Sequence, residues 1–88
     1  MKTNEQLLNE CRTLCDVFVL EVKWDPSDTT PLNKPQPRWR VGWAAMKSDK
    51  PYGSAVYVLD SVDSAIRSAL VAGWWELRKL AGLPPENP

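Results

Sequence analysis

RWRVGWAAM, residues 38–46, is the stretch that decides the fold. Its residue types alternate with a period of two, which is the period of a β-strand whose side chains point to opposite faces in turn. One face carries Trp39 and Trp43 with small apolar residues. The opposite face begins with Arg38 and Arg40. The stretch therefore predicts a strand with one face in the core and one face in solvent.

Two further stretches predict strands beside it. Residues 17–24 alternate in the same way, and residues 55–59 are rich in β-branched and aromatic side chains. The short polar turn at 47–53 favours an antiparallel hairpin between the second and third strands. Residues 25–37 contain four prolines and are predicted to form a long irregular loop.

A helix is predicted at each end of the chain. Thr3 and Gln6 are spaced as a capping box, and the apolar residues that follow recur at helical spacing, which predicts a first helix over 4–15. Asp60 and Ser61 offer N-caps for a last helix that ends at Leu80.

The end of the last helix has its own signals. Gly82 is placed for a left-handed cap, and the prolines at 84 and 85 prevent continuation, so the tail 84–88 is expected to fray. Within the helix, Gly73 is expected to let the backbone approach the sheet closely. The chain is thus predicted to be a single α+β domain over 1–88, helix-strand-strand-strand-helix, with a three-stranded antiparallel sheet packed against helices.

Composition narrows the chemistry. The chain has five tryptophans and no histidine, so it lacks the commonest acid/base group and metal ligand. Cys11 and Cys15 lie four residues apart on the first helix, a spacing that suits a disulfide poorly, and they are interpreted as reduced core residues. No cofactor or metal site is expected.

No apolar run approaches the ~20 residues that span a bilayer, and the start of the chain lacks the apolar core of a signal peptide, so a cytoplasmic protein is expected.

Catalytic residues are not predicted. Asp60 and Asp63 are better explained as residues that favour a helix start than as a catalytic pair. Cys15 has no histidine base, and the chain contains neither a nucleophile elbow nor a glycine-rich phosphate loop. We expect no enzymatic activity.

The adjacent Trp74 and Trp75 point in different directions, because successive helical residues are about 100° apart. Trp74 continues the buried side of the helix, as Trp24, Trp39 and Trp43 do on their strands. Trp75 joins Val71 and Arg78 on the flank, and this strip is predicted to contact another protein. Packing of Trp75 under the loop or under the first helix stays open as the alternative.

Charge is unevenly distributed although it sums to zero. The segment from Lys34 to Lys50 carries a net +4, and the remainder carries −4. Arg38 and Arg40 are expected to steer the domain toward an acidic protein surface. The alternatives are a solvated hairpin and a phosphate-binding patch.

The element order resembles that of the double-stranded-RNA-binding domain. That family reads phosphates with a basic run at the start of its last helix, whereas residues 61–67 here hold a single arginine and an aspartate. The resemblance therefore implies topology and not RNA binding.

Residues 39–46, 52–59 and 64–70 also resemble small bacteriophage proteins of the α-β-α sandwich type, in which a tryptophan-containing hairpin precedes a helix with an Ala-Ile-x-x-Ala-Leu pattern. This resemblance covers about half the chain and implies an origin in a phage or mobile element, without catalytic residues.

The sequence leads us to expect a noncatalytic protein-binding domain. The expected mechanism is steric inhibition of a host protein, such as a defence component, in the manner of an anti-CRISPR protein, or a transcription component. The alternative is a nucleic-acid-binding domain that uses the Lys34 to Lys50 patch. A homodimer built on the exposed helix strip is a further possibility, and no membrane partner is expected.

Overall fold

Two helices flank three strands in the order that the sequence predicts. The computed structural model describes residues 1–28, 36–58 and 61–88. The elements in chain order are α1 (Asn4–Leu14), β1 (Val17–Asp28), β2 (Gln36–Lys47), β3 (Lys50–Val58) and α2 (Val62–Leu80). The α+β class is confirmed. No helix within the described ranges is long and apolar enough to cross a bilayer.

The three strands form one antiparallel sheet in the order β1-β2-β3. All three strands are longer than predicted. β1 continues to Asp28 and β2 begins at Gln36, so strand structure extends into the predicted loop 25–37 from both sides, while its residues 29–35 lie outside the described part of the chain. The pairing shifts register between Asp25 and Asp28, and an edge strand with such an irregularity tolerates proline.

Local hydrogen bonds cap both helices where the sequence predicts them. The N–H of Gln6 donates to Thr3 Oγ1 at 3.1 Å, and the N–H of Thr3 donates to Gln6 Oε1 at 2.7 Å, which completes the capping box. Ser61 caps α2 by accepting from the N–H of Ser64 at 3.3 Å. At the other end Gly82 has φ +71°, and this left-handed residue ends the helix as expected.

The core lies between the helices and one face of the sheet. α2 packs across β2 and β3, and α1 packs mainly against α2. The close approach expected at Gly73 is present, because a Cβ there would lie 3.0 Å from the ring of Phe18 and 3.1 Å from the ring of Trp43. The buried apolar residues are Leu7, Cys11, Phe18, Val41, Trp43, Ala45, Ala65, Ala69, Leu70, Trp74 and Leu77.

One tryptophan predicted for the core is outside it. Trp24 is 50% exposed, and Val22 on the same face of β1 is 42% exposed. The reason is coverage, since α2 contacts β1 far less than it contacts β2 and β3. Trp24 instead packs at a tilt on the half-buried Trp39, with 5.1 Å between ring centroids.

The side of the sheet away from the helices is exposed, and we call it the open face. On β1, this face carries an ion pair between Glu21 and Lys23. The Glu21 Oε1 and Lys23 Nζ atoms lie 2.8 Å apart, and both side chains are about two-thirds exposed. The open face is formed by Val17, Val19, Glu21 and Lys23 of β1 with Arg40, Gly42, Ala44 and Met46 of β2.

Candidate functional site

The two adjacent tryptophans of α2 have opposite environments. Trp74 is fully buried, whereas Trp75 is 52% exposed. The angular step of an α-helix accounts for the difference, because the buried side of α2 accepts only one of two neighbouring side chains. The exposed indole is the starting point of the candidate site.

Trp75 forms one wall of a groove, and the chain beyond α2 forms the other. The groove has a volume of about 510 Å³. We call it the Trp75 groove, and it is lined by Trp75, Arg78, Lys79, Gly82, Leu83, Pro84, Pro85 and Glu86. Leu83 is 42% exposed, so the groove presents a second accessible apolar side chain close to the indole.

Side chains of α2 hold the tail against the helix. The indole N–H of Trp75 donates to the backbone oxygen of Glu86 at 3.2 Å, and Arg78 Nη2 donates to the backbone oxygen of Pro84 at 2.9 Å. Arg78 also forms an ion pair of 3.2 Å with the Glu86 carboxylate. The tail 84–88, expected from the sequence to fray, therefore has defined contacts with α2.

Charged residues behind the groove connect both ends of the chain. Lys2 Nζ lies 3.1 Å from Glu10 and 3.7 Å from Glu86, and hydrogen bonding to Glu10 is the main cause that raises the pKa of Lys2. The cations of Lys2 and Arg78 lie 5.9 and 5.1 Å from the ring centroid of Trp74. The wall of the groove is thus fixed by contacts from α1, α2 and the segment before α1.

The predicted helix strip is only partly a surface. Val71 is half-buried and packs against the core, and the Arg78 side chain is only 14% exposed because it holds the tail. Trp75 alone of the three is an exposed residue. The sequence interpretation missed the contribution of the tail, although the prolines after the Gly82 cap are a signal that the chain turns back with a restricted backbone.

The two predicted arginines do not share a surface with Trp75. Arg38 is 6% exposed and lies opposite Asp25 in the sheet register, so the expectation that it steers a partner from solvent is wrong. Arg40 is exposed, but it lies on the open face, and the sheet separates that face from α2. Alternation along β2 placed both arginines away from the core correctly, but alternation carries no information on what covers a face.

The basic segment does not form one patch in the described part of the chain. Lys47 and Lys50 lie opposite each other in the strand register on either side of the β2–β3 turn. Lys47 is nine residues along β2 from Arg38, which corresponds to a separation of about 30 Å. Lys34 lies outside the described residues. The single arginine near the start of α2, Arg67, donates to the backbone oxygen of Lys2 at 2.6 Å and thereby joins α2 to α1.

The cysteines are free thiols in the core region. Burial is the main cause that raises the pKa of Cys11 to about 12, which disfavours the nucleophilic thiolate at neutral pH. The Cys15 thiol donates to the backbone oxygen of Cys11 at 3.1 Å. Within residues 1–28, 36–58 and 61–88, no three side chains of His, Cys, Asp or Glu are grouped so that they could hold a metal ion.

Comparison with known proteins adds no relative, since no family model matches the chain and neither curated proteins nor solved structures give a significant match.

Proposed function

We propose that the protein is a noncatalytic protein-binding domain and that the Trp75 groove receives an apolar segment of another protein. The observation that carries this proposal is the half-exposed indole of Trp75, whose N–H is already bonded to the backbone of Glu86. A tryptophan whose orientation is fixed before binding loses little conformational freedom when a partner covers it. Tryptophan is also enriched among the residues that dominate binding energy at protein interfaces.

The contribution expected from Trp75 has the size found for residues that dominate binding energy at protein interfaces. Covering the exposed half of an indole removes roughly 100 Å² of apolar surface from water, which contributes about 2.5 kcal/mol. Leu83 adds apolar area on the opposite wall. Lys79 and Glu86 place charges of both signs at the rim, where they restrict the partners and orientations that fit.

The mechanism that we propose is steric inhibition. In this proposal the domain acts by covering a surface of its partner, because the Trp75 groove offers apolar and charged binding contacts. A phage or mobile-element origin, with a host defence or transcription protein as the target, is supported by the resemblance of residues 39–46, 52–59 and 64–70 to small phage proteins.

Affinity capture with three baits tests the proposal. The baits are the wild-type protein, the Trp75→Ala variant and the Met46→Ala variant, applied to a lysate of a candidate host. Met46 is the matched control, because it is also an exposed apolar residue but lies on β2, away from the groove and from the β1 edge. A partner of the groove is retained by wild type and by Met46→Ala and is lost with Trp75→Ala. Equal retention by all three baits would remove the groove from the proposed function.

Nucleic-acid binding is the alternative that salt dependence separates. Phosphate contacts make affinity fall steeply between about 50 and 200 mM salt, whereas an interface centred on an indole changes little over that range. Because the described basic residues of the segment from Lys34 to Lys50 lie at both ends of the β2–β3 hairpin, we expect no DNA or RNA retention at the higher salt. A mobility shift of short duplex and single-stranded probes measures this.

A further inference from the structure

β1 exposes an edge to solvent in the part of the chain that the structure describes. The strand is 12 residues long and pairs only with β2 in that part, so its outer backbone groups have no strand beside them there. Apolar side chains are exposed on both of its faces, with Val19 at 51% and Val22 at 42%. A long edge strand of this composition is a template for pairing with another strand.

The charges on this edge match themselves when a second strand runs antiparallel. Glu21 and Lys23 lie on either side of Val22 and on the same face of the sheet. In a two-fold symmetric pair centred on Val22, Glu21 of each copy lies opposite Lys23 of the other. The same register places Leu20 opposite Trp24, which brings two apolar side chains together on the other face.

From this self-complementarity we propose that the outer edge of β1 pairs with β1 of a second copy of the chain, antiparallel and centred on Val22, so that two three-stranded sheets become one sheet of six strands. The interface covers Val22 and Trp24, which α2 leaves exposed. It uses neither Trp75 nor the groove, so the inference is independent of the proposed function.

Charge specifies this register against its neighbours. Sliding the second strand by two residues in one direction places Glu21 opposite Glu21. Sliding it by two residues in the other direction places Lys23 opposite Lys23. Both shifted registers are disfavoured, because like charges directly opposite one another destabilise a sheet. Lys23 also lies opposite Arg40 within its own sheet, so a carboxylate on its outer side offsets a like-charged neighbour. The existing Glu21–Lys23 pair is exposed, and its exchange for pairs between copies costs little.

Charge reversal tests the pairing. Sedimentation equilibrium of the wild-type protein is expected to show a mass that rises with concentration from 10.0 kDa toward twice that value. Glu21→Lys places two lysines opposite each other and is expected to raise the dimer Kd at least tenfold, on the order of the effect of opposed like charges at an interface. The double variant Glu21→Lys/Lys23→Glu restores opposite charges in the same register and is expected to recover dimerisation. Circular dichroism confirms that each variant is folded.

A disulfide test reads the register without relying on charge variants. Val22→Cys places two cysteines directly opposite each other on the symmetry axis, within the distance that a disulfide spans. Val19→Cys is the matched control, because it is similarly exposed on β1 but its two copies lie about 20 Å apart in this register. Mild oxidation is expected to yield a covalent dimer from Val22→Cys alone. Because both variants retain Cys11 and Cys15, any cross-link through these native thiols appears equally in both.

Four results would overturn the inference. The first is a wild-type mass that stays at 10.0 kDa up to about 1 mM, a concentration at which even weak specific pairs form. The second is a dimer that Glu21→Lys leaves intact, which would place the interface elsewhere. The third is a failure of the double variant to recover dimerisation, and the fourth is equal cross-linking of Val22→Cys and Val19→Cys.

Discussion

Gly73 shows how a single residue sets the distance between α2 and the sheet. A glycine in the middle of a helix costs about 1 kcal/mol relative to alanine, so its presence needs a compensating contact. The rings of Phe18 and Trp43 occupy the space that a Cβ would need, and both rings are buried. The close helix–sheet packing therefore outweighs helix propensity at this position.

We expect Gly73→Ala to destabilise the protein by about 1 kcal/mol, because an overpacked core costs about 1–3 kcal/mol and the gain in helix propensity offsets only part of that. Urea denaturation measures the change in the free energy of unfolding. Ser68→Gly, at an exposed position of α2, reports separately what a glycine costs this helix. A stabilised Gly73→Ala variant would show that the sheet yields and that propensity decides.

The Cys11 thiol makes stability depend on pH in the alkaline range. Burial, with the negative charges of Cys15 and Glu10 as lesser causes, raises the pKa of Cys11 from 9.0 to about 12. The folded state therefore holds this proton more tightly than the unfolded state does. The stabilisation is complete below pH 9 and is lost as pH rises from 9 toward about 12.

The urea midpoint of the wild-type protein is therefore expected to fall between about pH 8 and about pH 10.5. The fall should be shallower in Cys11→Ala, which has no thiol to ionise at this position. Lysines and tyrosines titrate in both proteins, so the difference between the two slopes isolates Cys11. Parallel slopes would mean that the thiol is as easily ionised in the folded protein as in the unfolded chain.

Residue-scale predictions succeeded where they depended on local geometry. The 100° step of a helix separates the buried Trp74 from the exposed Trp75 without any knowledge of the fold. Alternation placed Trp24 on the core face and Arg38 on the other, but Trp24 is half exposed and Arg38 is buried. A residue pattern assigns a face, whereas burial depends on which distant element lies over that face.

At the scale of elements, helix ends are easier to predict than strand ends. Thr3, Ser61 and Gly82 act on backbone groups within a few residues, so their roles can be read from the sequence. β1 and β2 instead continue into the proline-containing segment because each strand stabilises the other across the sheet. The contacts of the tail after α2 are likewise hard to predict from the sequence, because they are made with side chains one to three turns away on α2.

The tail is expected to orient Trp75. Deleting residues 84–88 removes the carbonyl oxygen of Glu86, and we expect the indole N–H signal of Trp75 to shift upfield in a ¹⁵N-resolved NMR spectrum and to exchange faster with water. The loss of stability should be about 1 kcal/mol, because the Glu86 side chain that both ion pairs share is about half exposed and is screened by solvent.

Glu86→Gln is the matched control for this deletion. It removes the ion pairs with Arg78 and Lys2 but keeps the backbone oxygen, so the Trp75 signal is expected to stay in place. Trp75→Ala assigns the signal by its disappearance. A signal that is unchanged by the deletion would show that the indole is held by α2 alone.

At the scale of the whole molecule, the fold leaves two surfaces uncovered on different elements. The Trp75 groove lies on the helical side and is proposed to bind another protein, whereas the outer edge of β1 is proposed to bind a second copy. A dimer joined through β1 would carry two grooves, and a partner with two matching segments would then bind more tightly than a single groove allows. Neither surface was defined by the sequence pattern, because each depends on what the rest of the fold leaves uncovered.

The affinity of a captured partner for three forms of the protein tests the central claim most directly. Isothermal titration of wild type, Trp75→Ala and Met46→Ala gives the three dissociation constants under one condition. The account predicts that Trp75→Ala raises Kd about 30-fold, the effect of losing an interface residue that contributes about 2 kcal/mol, and that Met46→Ala changes Kd less than threefold. A Kd for Trp75→Ala within threefold of wild type would contradict the assignment of the Trp75 groove as the binding site.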